Sequence, residues 1–152
     1  MSAGSLRRRT LLLGLAGLPL LANTTAAAAA PPISPALAEA LGAVGVVPGQ
    51  ILWSSPLTLI APENAEDSTA VPVTLRLPEG NRPAVLHLFA PGNRKVWLAS
   101  FTPQSNLIRP EWRLRIRVGK SQTLVAVARL SDGRVVGAAA EIQVTAGGGC
   151  RS

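Results

Sequence analysis

An immunoglobulin-like β-sandwich of about seven strands, with a short N-terminal helix and a flexible glycine-rich C-terminal arm, is the fold that this 152-residue sequence predicts. Three observations predict it. From residue 51 onward short apolar or alternating runs follow one another with no helical pattern between them, punctuated by turn signals such as Pro78-Glu79-Gly80-Asn81, Pro91-Gly92-Asn93 and Ser131-Asp132-Gly133. A single helix-start signal precedes those runs. The chain closes on Gly147-Gly148-Gly149-Cys150-Arg151-Ser152, where three consecutive glycines cost backbone entropy and build no wall of a core or pocket. An up-and-down barrel is the alternative architecture.

Residues 1–30 read as an export signal. Arg7-Arg8-Arg9 forms a charged start, and the apolar run through Leu20-Leu21-Ala22 is too short to span a bilayer as a stable helix. It is apolar all round, which excludes an amphipathic first helix. Counted from Arg8, the Arg-Arg-x-Leu-Leu core fits a twin-arginine signal, with an extra Arg7 and with Leu13 where a basic residue is usual, and general secretion is the alternative route; the expected location is the periplasm. Cleavage is expected in the alanine run 26–30. Fifteen basic residues less these three arginines leave twelve against eight acids, so the formal charge falls from +7 to +4.

The remaining length suits one domain with a real core and is too short for two. Residues 31–50 hold the lead-in and a short helix: Ser34 caps it, Pro35 takes the first helical position, Leu37, Leu41 and Val44 form its apolar stripe, and Gly42 is the expected stop. Residues 51–145 form the sandwich, with strands expected over 51–54, 57–60, 71–77, 85–89, 96–101, 112–118, 124–130 and 134–145. In 112–118 strict alternation turns Trp112, Leu114, Ile116 and Val118 inward and Arg113, Arg115 and Arg117 outward. Those arginines are candidate contacts for an anion or an acidic partner; as plain solvated charges they keep an edge strand from pairing with other chains. The run 124–128 is apolar on both faces, as in a central strand or one covered by another subunit.

The arm, 146–152, carries the one cysteine. An exported chain with a single cysteine has no internal disulfide, so Cys150 stays free, joins another molecule or carries something. Counting from Thr145, the sulfur can swing on the order of 17 Å. Other chemistry is sparse. His87, the single histidine, sits in an apolar run and reads as a partly buried structural imidazole rather than a metal ligand. Glu63, Glu66 and Asp67 lack the regular alternation of oxygen ligands of a calcium loop and read as turn and capping residues. No catalytic constellation, cofactor motif or nucleic-acid motif is present, and no second long apolar segment places the mature chain in a membrane. The chain is not expected to be an enzyme.

From about Leu57 to Cys150 the sequence resembles the SoxY family, the sulfur-carrier subunits of the Sox sulfur-oxidising system. The resemblance rests on Leu57-Thr58-Leu59-Ile60-Ala61-Pro62-Glu63-Asn64-Ala65-Glu66 with Val71-Pro72-Val73, on Arg115-Ile116-Arg117-Val118, on the segment 124–133, and on Val144-Thr145-Ala146-Gly147-Gly148-Gly149-Cys150. It implies a sandwich paired with a second sandwich subunit, SoxZ, as a heterodimer. It also implies that Cys150 is joined to the sulfane sulfur of thiosulfate by a c-type cytochrome, and that a hydrolase then releases sulfate. A thiol suits this because it forms reversible S–S bonds. Where the family carries two glycines after the cysteine, this chain has Arg151 and Ser152; the guanidinium favours a thiolate or a sulfonate but is far bulkier than glycine. The alternative function is a non-catalytic interaction subunit whose Cys150 makes an intermolecular disulfide, including a disulfide homodimer.

Overall fold

The computed structural model describes residues 29–53, 56–104 and 110–145. The export signal, but for its last two residues, and the arm beyond Thr145 lie outside the described residues.

Helix α1 (Pro35–Ala43) starts as its sequence dictates: Ser34 Oγ accepts the N–H of Leu37 at 3.2 Å, and Pro35 needs no partner for a missing N–H. Its end differs from expectation. Gly42 lies inside the helix, and the stop falls at Gly45, whose φ of +72° lets the chain turn left-handed. The N–H of Gly45 donates to Gly42 O at 3.0 Å and that of Val46 to Leu41 O at 2.9 Å, a double closure that brings Val46 into the core cluster of Leu41.

A 3-10 turn (Pro48–Gln50) leads into nine strands: β1 (Ile51–Leu52), β2 (Thr58–Ile60), β3 (Asn64–Ala65), β4 (Val71–Arg76), β5 (Pro83–Phe89), β6 (Trp97–Phe101), β7 (Glu111–Ile116), β8 (Gln122–Leu130) and β9 (Val135–Val144). One sheet has the order β1-β9-β8-β5-β6, with β3 also on β9; the other is β2-β4-β7. The sandwich core lies between them, with Leu59, Val73, Leu75 and Ile116 from the small sheet meeting Leu86, Leu88, Leu124, Ala126 and Ile142 from the large one. Pro72 is tolerated inside β4 because β2 reaches only to Thr74, so that stretch of β4 has β7 as its one neighbour.

The doubly apolar run 124–128 belongs to β8, the central strand between β9 and β5. Its alternate residues Val125 and Val127 face outward, and there Leu37 and Leu41 of α1 pack on them together with Phe89 and Val135. The cover is this chain's own helix rather than a second subunit. Arg129 fixes it in place by donating from Nη2 to the carbonyl of Gly45 at 2.7 Å.

β9 organises the large sheet. It runs antiparallel to β8 along most of its length, while its other edge takes β1 opposite Val135 and Val136 and β3 opposite Gln143 and Val144, both parallel. Between those two short partners Gly137 lets the chain come close: a Cβ there would stand 2.5 Å from Ile51 Cγ2 and 2.8 Å from the Trp53 ring.

Candidate functional site

Cys150, its glycines Gly147, Gly148 and Gly149, and Arg151 lie outside the described residues, so the structure speaks to the base from which they depart. Three successive N–H groups are held there on alternate sides. Gln143 donates to Glu63 O at 2.8 Å and Thr145 to Ala65 O at 3.3 Å, while Val144 between them donates to Ser121 Oγ at 2.8 Å. This alternation is the strand period of two, with the β3 segment on one side and the entry to β8 on the other. Beside the base lies an open cleft lined by Glu66, Asp67, Ser68, Thr69, Gly119, Lys120, Ser121, Val144 and Thr145.

Of the acidic residues near that cleft, Asp67 takes the turn role its sequence suggests. Asp67 Oδ1 accepts the N–H of Thr69 at 2.8 Å and its hydroxyl at 2.5 Å, closing a local turn. Those hydrogen bonds, the hydroxyl's first and the backbone's second, hold the Asp67 carboxyl below its usual pKa, with the charge of Arg115 helping. Glu63 contributes its carbonyl to β9 as described.

The three outward arginines are exposed, while Ile116 and Val118 are buried and Trp112 and Leu114 are partly so, as the alternation predicts. The arginines do not act alike. Arg113 Nε donates to Glu111 Oε1 at 2.7 Å, and Arg76 occupies the other carboxylate oxygen at 2.8 Å, so Arg113 is already neutralised. These two partners hold the Glu111 carboxyl low, Arg76 more than Arg113. Arg115 donates to Ala70 O at 3.4 Å, and the carbonyl of Arg117 accepts from Asn93 Nδ2 at 2.7 Å. Arg115 and Arg117 share a groove with the nearby Lys120 and with Arg94 and Lys95, two cations remote from them in sequence.

His87 is 6% exposed on the outer face of the large sheet, edge-on to Trp97 with centroids 6.0 Å apart and 6.2 Å from Phe89. Its Nδ1 is buried with no hydrogen-bond partner among the described residues. Burial first, and the charge of Arg129 second, hold its pKa below the ordinary 6.5. Among the described residues no group of three or more His, Cys, Asp and Glu is placed to hold a metal ion. None of the described helices is long and apolar enough to cross a membrane.

The family described as "Sulfur oxidation protein SoxY" matches residues 47–150, so the matched span ends on Cys150. Among solved structures, the sulfur carrier protein SoxY from Chlorobium limicola f thiosulfatophilum is similar at 33% identity, with a TM-score of 0.50 over 60% of this chain and 80% of that one. A superoxide reductase (neelaredoxin) from Ignicoccus hospitalis shares 17% identity at a TM-score of 0.50 over 60% and 81% of the two chains. A superoxide reductase from Thermotoga maritima, described as putative, shares 12% at 0.50 over 59% and 85%. These last two show the sandwich fold alone. No curated protein sequence matches the chain. Two sheets in this topology, a strand whose end is tied down just ahead of the single cysteine, and a family match through that cysteine lead to one conclusion: the chain belongs to the SoxY family of sulfur oxidation proteins.

Proposed function

We propose that the chain is a periplasmic sulfur carrier that holds oxidation intermediates covalently on Cys150 and presents them to partner enzymes. The observation that carries this reading is the family match over residues 47–150, which takes in the glycine triplet and ends on the only thiol in the sequence. The SoxY carrier from Chlorobium, one-third identical, supports the same reading. In the loading step the Cys150 thiolate and the sulfane sulfur of thiosulfate form an S–S bond and give up two electrons, which a c-type cytochrome accepts. The product is a cysteine S-thiosulfonate. Water then attacks the terminal sulfonate sulfur under a partner hydrolase, releasing sulfate and two protons and leaving a cysteine persulfide anion. The body contributes no group to this bond-making; it supplies an anchored departure point for the arm, and a SoxZ-like sandwich subunit completes the carrier as a heterodimer.

Intact-mass and peptide-level mass spectrometry of the native protein from cells oxidising thiosulfate tests the reading. Sulfur and thiosulfonate additions on Cys150 that reductant removes are the expected result. Finding only the free thiol, or only cystine linking Cys150 to another chain, would overturn it in favour of a disulfide-linked interaction subunit.

A further inference from the structure

Among the described residues the sandwich is open along one side, where β6 ends the large sheet and β7 ends the small one. Between these free edges lies a groove of about 660 Å³. Half-buried Leu98, Ala99 and Leu114 give it an apolar floor, and five exposed cations stand around it: Arg94, Lys95, Arg115, Arg117 and Lys120.

A polar clamp holds the two basic segments face to face. Asn93 Nδ2 donates to Arg117 O at 2.7 Å, and Asn93 Oδ1 accepts from the N–H of Gly119 at 2.7 Å and from Gln122 Nε2 at 3.0 Å. Gln122 Oε1 in turn accepts the N–H of Gly92 at 2.6 Å. The turn is seated so closely that a Cβ on Gly92 would come within 3.0 Å of Gln122 Cδ and Lys120 Cε.

The charge around the groove is largely uncompensated. All eight carboxylate side chains of the sequence lie among the described residues, and the ion pairs engage Glu111 with Arg76 and Arg113, and Asp132 with Arg134. None reaches Arg94, Lys95, Arg117 or Lys120; Asp67 lies within electrostatic reach of Arg115. Five like charges around one depression repel, and an anionic occupant relieves that repulsion.

The shape of the charge decides what kind of anion fits. A small oxyanion is held by donors converging on one point, whereas these cations are exposed and distributed along two strand edges over an apolar floor. An extended chain that alternates carboxylate and apolar side chains matches both features, and two strand edges that are unpaired among the described residues are available to its backbone. We propose that this groove docks an acidic, extended segment of the protein that exchanges cargo with Cys150. That the docked protein exchanges cargo rests on the carrier reading above; the acidic character of the segment does not. Gly119 and Lys120 line both this groove and the cleft at the end of β9, so a segment bound here lies next to the point from which the arm departs.

Fluorescence anisotropy of a labelled heptapeptide alternating glutamate and leucine, titrated with the full-length protein, tests the proposal. Saturable binding that weakens as salt rises is expected, with a loss of about tenfold or more in affinity for K95E/R117E and for R94E/K120E. R134E, whose charge is paired with Asp132 away from the groove, should bind as the parent does. Unchanged affinity in both groove variants, or equal binding of an alternating lysine-leucine peptide, would overturn the proposal. So would displacement by sulfate or thiosulfate beyond that by chloride at equal ionic strength, which would mark a small-anion pocket. Cys150→Ser should leave peptide binding intact. If Cys150 proves never to carry sulfur while the peptide still binds as described, the carrier reading falls and the acidic docking site stands.

Discussion

The main-chain N–H of Val144 is held by the side chain of Ser121, across 2.8 Å, at the point where β9 ends. Val144 stands six positions before Cys150, and its neighbours Gln143 and Thr145 are bonded on the opposite edge to Glu63 and Ala65. The body therefore sets the direction in which the chain leaves the sheet. Ser121→Ala removes one of these ties at an exposed position, which should cost about 0.5–1.5 kcal/mol. Hydrogen exchange at the Val144 amide should accelerate while exchange in the middle of β8 stays unchanged. Equal acceleration throughout the sheet would show that the bond supports the whole fold rather than the base of the arm.

Cys150→Ser keeps the shape of the side chain and replaces a soft sulfur nucleophile with a hydroxyl that forms no S–S bond. On the carrier reading proposed above, thiosulfate-dependent cytochrome reduction in a reconstituted system should drop to background while a SoxZ-like subunit that copurifies with the parent still copurifies with the variant. Retained electron transfer would exclude Cys150 as the attachment site.

Gly137→Ala places a methyl group against the Ile51 side chain and the Trp53 ring at distances where neither the branched side chain nor the ring can easily give way. Overpacking of this kind costs about 1–3 kcal/mol, so the thermal midpoint should fall by several degrees. Gly49→Ala, where a Cβ meets nothing within 4 Å, is the control and should leave the midpoint nearly unchanged.

His87 makes the fold sensitive to mild acid. Its pKa in the folded chain is depressed by burial, so below 6.5 the unfolded chain takes up a proton that the folded one resists. The stability this group contributes is fully present above pH 6.5 and is lost as pH falls toward the folded value. The carboxyls of Asp67, Glu111 and Asp132 are all held below their ordinary values and act only in stronger acid. Denaturant midpoints measured from pH 7.5 down to pH 5 should therefore decline for the parent and stay flat for His87→Leu; parallel slopes would show that another group governs this window.

Strict alternation made the inward and outward faces of 112–118 legible in the sequence, and the Ser34-Pro35 pair made the start of α1 legible, because both signals are local. The end of α1 was harder: the sequence points to Gly42, the stop falls at Gly45, and the difference depends on burying Val46, a tertiary matter. β3 carries no apolar run, and its two residues become a strand only because the end of β9 lies alongside. The outer apolar face of β8 announced that something covers it without saying what, since Leu37 and Leu41 are remote in sequence. The arginine row was visible from one side; Arg94 and Lys95 join it only through the side chains of Asn93 and Gln122. The cysteine and its glycines were read from the sequence alone, together with the resemblance that the family match then bore out.

The grip on β9 has a mechanical consequence. Its hydrogen bonds run crosswise to β8 on one edge and to β1 and β3 on the other, so traction on the C-terminus acts along the strand axis. Bonds loaded in that direction share the force in shear instead of opening one after another as in a zipper. A pull applied beyond Thr145 is thus borne by the large sheet as a unit, and the domain keeps its shape under load.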